Sequence, residues 1–155
     1  HRLTAREMVR IFAELHGLEG EELQRRTEAT LAAFGVDRYA DTRCEKLSTG
    51  MKQKVSIART VVHDPPVLIL DEPTSGLDVL AASTTLDFVR RAKDEGKCIL
   101  FSTHIMSEAE RLCDRIGILH DGRLRAVGSL NELRERTGEH YLEDIFRRVV
   151  AEEAA

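Results

Sequence analysis

The feature that most constrains this chain is Val67-Leu68-Ile69-Leu70, an unbroken apolar run between Pro65-Pro66 and the carboxylate pair Asp71-Glu72. Proline cannot donate to a helix ladder and drives the residue before it out of the α region, so no helix passes through this point. A run without polar alternation predicts a strand buried on both faces, as in a parallel sheet covered by helices. Lys97 to Ser102 (KCILFS) predicts a second strand of the same kind. Between them, from about Val79 to Glu95, Ala82, Leu86 and Val89 predict a helix with these residues inward. Strand, helix and strand make a βαβ unit, expected to be right-handed, and the fold class is α/β.

Helices are expected on either side of this unit. Thr4 followed three residues later by Glu7 is a capping box, and Met8, Ile11, Phe12 and Leu15 form the apolar side of the helix it starts. Gly17 closes that helix, and a second runs from about Glu21 to Phe34 with Leu23, Leu31 and Phe34 inward. A polar connection from Gly35 leads to Leu47, after which Met51, Val55, Ala58 and Val62 mark a third helix ending before Pro65. Beyond Thr103 a short helix carries Ile105, Ala109 and Leu112, and Asp121-Gly122 predicts a two-residue hairpin turn. Helices near Ser129–Arg136 and Tyr141–Val150 close the chain, the last with Leu142, Ile145, Phe146 and Val149 on its apolar face. The expected segments are a helical 1–64, an α/β 65–128 and C-terminal helices over 129–155.

Composition narrows the function. A net charge of −4 gives no global basic surface, so nucleic acid is not expected as a partner. No apolar run approaches the ~20 residues of a membrane span, so work at a membrane would pass through a partner protein. Cys44, Cys98 and Cys113 show no C-x-x-C spacing and are expected to be buried or unreactive thiols.

Three places can carry chemistry. Asp71 and Glu72 end a strand at the carboxyl edge of a parallel sheet, where ligands bind in α/β folds. Asp71 could instead cap the Pro73-Thr74 turn. Adjacent carboxylates point in different directions, so one suits a hard cation such as Mg²⁺ and the other a water to be oriented or deprotonated. Ser102-Thr103-His104 ends the second strand in the same way, with His104 either structural or a second polar group at that edge. Ser48-Thr49-Gly50-Met51 opens a helix whose unpaired N–H groups and positive dipole end suit a phosphate, with Gly50 open to close approach. The alternative there is an ordinary serine N-cap.

In order and spacing these stretches resemble the ATP-binding cassette family of ATPases. LSTGM (Leu47–Met51) looks like the family signature and VLILDE (Val67–Glu72) like its Walker B strand. SGLD (Ser75–Asp78) looks like its D-loop and STH (Ser102–His104) like its switch-histidine loop. The resemblance covers nearly the whole chain, and the wording is most similar to ATPase subunits of bacterial export systems, sodium exporters among them. It implies an incomplete P-loop NTPase (RecA-like) core with a parallel sheet, plus a small α-helical signature subdomain. It implies ATP and Mg²⁺ as cofactors, a second ATPase subunit in a head-to-tail dimer, and a separate multi-span membrane permease. That assembly would sit at the cytoplasmic face of the membrane. Carried over to these positions, Asp71 would bind Mg²⁺, Glu72 would polarise the attacking water, and His104 would contact the γ-phosphate. Ser48 and Gly50 would grip that phosphate across the dimer. Thr49 adds a side chain beside Gly50, Met51 puts an apolar group where the commonest signature has an amide, and Asp78 would lie at the subunit interface.

One motif is absent. No G-x-x-x-x-G-K-[ST] occurs, and the only Gly-Lys, Gly96-Lys97, is followed by Cys98. With His1 standing just before a helix cap, the expectation is that this is the C-terminal part of such a domain and is inactive by itself. Two further readings remain: a soluble cassette ATPase acting on DNA or ribosomes, and a naturally truncated, non-catalytic cassette.

Overall fold

The computed structural model describes residues 2–151; His1 and 152–155, the end of the expected 129–155 segment, lie outside the described residues. The chain forms two compact units, one ending at Ser102 and one beginning at Thr103.

The first unit opens with α1 (Ala5–Leu15), whose capping box forms as expected: the Thr4 hydroxyl accepts from the Glu7 N–H, and the Glu7 carboxylate accepts from the Thr4 N–H. It packs against both α2 (Gly20–Ala33) and α3 (Thr49–Val61). Because α1 lies between two helices, its fully buried line is Ala5, Val9 and Ala13, small residues that permit close approach. Met8, Ile11 and Phe12 are only half-buried and Leu15 is 74% exposed, which corrects the expected apolar line. On α2 and α3 the expected residues Leu23, Leu31, Phe34, Val55, Ala58 and Val62 are buried. The connection from Gly35 to Leu47 is not simply polar. It holds two 3-10 turns, Asp37–Tyr39 and Cys44–Lys46, and places Val36, Ala40, Cys44 and Leu47 in the core.

The same unit contains β1 (Val67–Asp71), α4 (Val79–Asp94) and β2 (Cys98–Ser102). The strands pair in parallel from Val67 opposite Cys98 to Asp71 opposite Ser102, as the βαβ pattern requires. The burial expected on both faces is not found. Leu68 and Leu70 are buried, but Val67, Ile69 and Leu100 are 54%, 72% and 65% exposed, because the described residues cover one face only. On α4 the buried line is Ala81, Thr85, Val89 and Ala92, one position from the expected Ala82 and Leu86, which are half-buried. Phe88 of α4 meets Phe34 with ring centroids 4.8 Å apart, joining the helical layer to the α/β layer. Among the cysteines Cys44 is buried, Cys113 half-buried and Cys98 exposed.

The second unit consists of α5 (Met106–Leu112), β3 (Ile116–His120), β4 (Arg123–Gly128), α6 (Leu130–Thr137) and α7 (Leu142–Ala151). The hairpin turn is the expected one: Asp121 and Gly122 both take positive φ, 49° and 70°, which matches the twist of the flanking strands. Ala109, Ile116, Ile118, Ala126, Leu133, Leu142 and Ile145 form its core.

Candidate functional site

The site in the first unit is built where β1 runs out. Asp71 is the last residue of that strand and is exposed, and Glu72 follows with φ +41°, a conformation uncommon for a residue with a side chain. Ser102, opposite Asp71 in the register, holds this turn. Its hydroxyl donates to Asp71 Oδ1 at 2.5 Å and lies 3.0 Å from the Glu72 amide nitrogen, whose N–H it accepts. The same N–H also points at the Ser102 carbonyl, 3.1 Å away. Thr74 is buried, the Glu72 carbonyl accepts from the Ser75 N–H, and the Thr74 carbonyl accepts from the Leu77 N–H, so the loop to α4 is a succession of tight turns.

Asp78 ends that loop as the N-cap of α4, with Oδ1 accepting the Ala81 N–H at 2.9 Å. Ser48 is likewise the N-cap of α3 and accepts the Met51 N–H at 3.3 Å. Gly50 in the first turn of α3 lies beside α4: a β-carbon there would stand 3.7 Å from Leu77 and 3.9 Å from Ala81 and from Asp78 Oδ2. Those are ordinary contacts, so packing within the described residues does not demand glycine at this position. Thr49 is exposed, whereas Met51 is half-buried and packs on the core. The Gln53 amide donates to the Pro73 carbonyl at 3.5 Å, tying α3 to the loop that carries Glu72. A cavity of about 140 Å³ lies between α3 and β1, with Gln53, Ser56 and Thr60 on one side and Ile69, Asp71 and Pro73 on the other.

His104 belongs to the second unit, exposed in the turn before α5. Thr103 sets that turn: its hydroxyl donates to the buried Glu108 carboxylate at 2.8 Å and accepts the Ile105 N–H at 3.0 Å. In the first unit Gly50 at the start of α3 thus lies beside Asp78 at the start of α4, while Asp71 and Glu72 follow one another at the end of β1. Ser102 was missed as a site residue from the sequence, because its relation to Asp71 is set by strand register rather than by any local pattern.

The donors fit magnesium better than a transition metal. Among the described residues no three His, Cys, Asp or Glu side chains cluster to make a closed site. Asp71 offers hard oxygen donors, and magnesium is typically held by one or two carboxylates, substrate phosphates and retained waters.

A parallel βαβ unit with two carboxylates at its carboxyl edge agrees with the P-loop nucleoside triphosphatase fold, and the match to a solved ATP-binding subunit places the chain in that class. Residues 1–75 match the family described as ABC transporter. The chain is 40% identical to the ABC transporter ATP-binding protein NatA of Bacillus subtilis over 145 residues, 94% of this chain and 59% of that protein. It is 39% identical to the Nod factor export ATP-binding protein I of Burkholderia orbicola, covering 85% of this chain and 43% of that protein. A solved structure of an ATP-binding subunit of an ABC transporter superposes with a TM-score of 0.86 at 38% identity, covering 96% of this chain and 62% of that one. The chain belongs to the ATP-binding domains of ABC transporters, and it spans 59% and 62% of the lengths of NatA and EcsA, two Bacillus subtilis relatives that it matches.

Proposed function

We propose that this chain carries the hydrolytic carboxylates and the signature helix of an ATPase subunit that powers export through a separate membrane protein. The observation that carries this reading is the emergence of Asp71 and Glu72 together at the carboxyl end of β1, in a chain whose α3 and α4 have capped N-termini that lie beside one another. Export is supported by the names of relatives such as the Nod factor export protein, and a solute such as sodium ions is implied by the resemblance. Among the described residues no helix is long and apolar enough to cross a membrane, which agrees with a separate permease at the cytoplasmic face.

In this reading Asp71 would hold Mg²⁺, which when bound neutralises charge on the phosphate oxygens of ATP. Glu72 orients the attacking water and accepts its proton on a carboxylate oxygen. His104 donates a hydrogen bond to the γ-phosphate. Ser48 and the backbone at Gly50, flanked by Thr49 and Met51, grip the γ-phosphate of ATP held by a second subunit in a head-to-tail dimer, and Asp78 lies at that interface. Gly50 supports this role because nothing packed against it requires glycine. The chain contains no G-x-x-x-x-G-K-[ST] loop. Loss of one preorganised donor costs ~3 kcal/mol of transition-state stabilisation, so these residues by themselves are expected to give no turnover.

The test is ATP turnover by the full-length protein containing this chain. Glu72→Gln should abolish hydrolysis while nucleotide still binds, and His104→Ala should impair it; normal turnover in both would refute the assignment. Turnover by residues 1–155 alone, abolished by Glu72→Gln, would refute the expected inactivity.

A further inference from the structure

We propose that Ser102 is a positioning residue that holds both carboxylates in working geometry, a role that rests on the reading of Asp71 and Glu72 just given. A serine hydroxyl has one proton to donate and two lone pairs to accept with. An ionised carboxylate can only accept, so the short bond to Asp71 Oδ1 places the proton on the serine. That leaves the Ser102 oxygen as the acceptor for the Glu72 N–H, as its position requires. One hydroxyl therefore makes two bonds of opposite sense, to the side chain of one carboxylate residue and to the backbone of the next.

Each bond has a separate consequence. The first fixes the rotation of the Asp71 carboxylate, which decides which oxygen remains to face a cation. The second, shared with the Ser102 carbonyl, helps to hold the Glu72 amide where φ is +41°, and with it the direction of the Glu72 side chain. Both follow from the register that sets Ser102 opposite Asp71. Neither is needed for the strand pairing itself, because the Glu72 N–H also reaches the Ser102 carbonyl. Asp71 is exposed, so losing the hydroxyl strands no buried polar group and the fold should survive the loss.

The test compares Ser102→Ala, Ser102→Val and Ser102→Thr in the full-length ATPase, reading kcat, the Mg²⁺ concentration for half-maximal turnover, and the thermal midpoint. For the loss of a hydrogen bond to a charged group, Ala and Val should raise the half-saturating Mg²⁺ by about tenfold and lower kcat by a similar factor. Thr, which keeps the hydroxyl, should restore both values although it shares the shape of Val. Glu72→Gln is measured alongside. If it is inactive while Ala and Val keep wild-type kcat and Mg²⁺ dependence, the positioning role is overturned and the catalytic reading stands. If Glu72→Gln turns over normally, the catalytic reading fails, and the role of Ser102 falls with it. Failure of Thr to restore what Val loses, or losses that follow the thermal midpoint alone, also overturns the proposal.

Discussion

Phe34→Ala is the sharpest test of how the first unit is held together. Phe34, the C-cap of α2, is the largest of its fully buried side chains at 1% exposure, with Leu31 at 0% three residues before it. Its ring meets Phe88 of α4 at 4.8 Å between centroids and 47° between planes, a tilted geometry that aromatic pairs favour. Truncating a buried phenylalanine to alanine costs about 3–5 kcal/mol, because the lost transfer energy adds to the cavity left behind. The Phe34–Phe88 pair should add a coupling of about 0.5–1.5 kcal/mol beyond area burial. Since a whole domain is stable by only about 5–15 kcal/mol, Phe34→Ala should remove a large share of the stability. The assay is urea unfolding followed by far-ultraviolet circular dichroism for Phe34→Ala, Phe88→Ala and the double variant, analysed as a double-mutant cycle. Phe34→Leu, expected to cost under about 1.5 kcal/mol, covers the case in which the alanine variant is too unstable to measure. A Phe34→Ala loss below about 1 kcal/mol, against the expected range, would refute this account of the core. Additive single losses would refute the coupling of α2 to α4.

The pH dependence of stability should carry the signature of His63. Burial first, and the stacked His16 ring 3.6 Å away second, lower its pKa below 6.5, and its buried Nδ1 has no hydrogen-bond partner among the described residues. The unfolded chain therefore takes up the proton first, so stability should hold above pH 6.5 and fall as the pH drops below it. His63→Phe, which keeps a stacked ring, should flatten that fall; an unchanged slope in urea midpoints across this range would refute the reasoning. Asp64 has its carboxyl pKa pulled below 3.8, first by Lys97 and also by Arg26, so its contribution is present above pH 3.8 and lost in stronger acid. Because the Asp64 side chain is 46% exposed, Asp64→Asn should cost no more than about 1 kcal/mol, with a shallower acid limb in the unfolding profile. Glu72→Gly should relieve the strain of φ +41° and leave stability unchanged or higher by up to ~1 kcal/mol while abolishing turnover in the full-length protein. A clear loss of stability in Glu72→Gly would show that the side chain, not the backbone, governs that turn.

Much of the fold was legible because its signals are local. The capping box at Thr4 and Glu7, the proline stop before Val67, and the Asp-Gly turn at Asp121-Gly122 each fix backbone geometry within a few residues. Ser48 as the cap of α3 was legible for the same reason. The apolar line on α1 was misread because periodicity identifies an apolar side but not which of its rows meets a neighbour. Two flanking helices selected the small Ala5, Val9 and Ala13 over Phe12 and Leu15. The strands lie where the apolar runs place them, but their burial does not follow, because an apolar run shows what can be buried, and Val67, Ile69 and Leu100 are exposed where no described layer lies over them.

By itself, then, the sequence determined the order of the α-helices and strands, most of their boundaries to within a residue or two, and the placement of two carboxylates at a strand end. Each of these is encoded in short-range sterics, capping and periodicity. Only the tertiary structure decided that Ser102 faces Asp71, that Gly50 lies beside Asp78, and that Phe34 joins α2 to α4. Those relations depend on strand register and helix packing between residues far apart in the chain, which no local pattern carries.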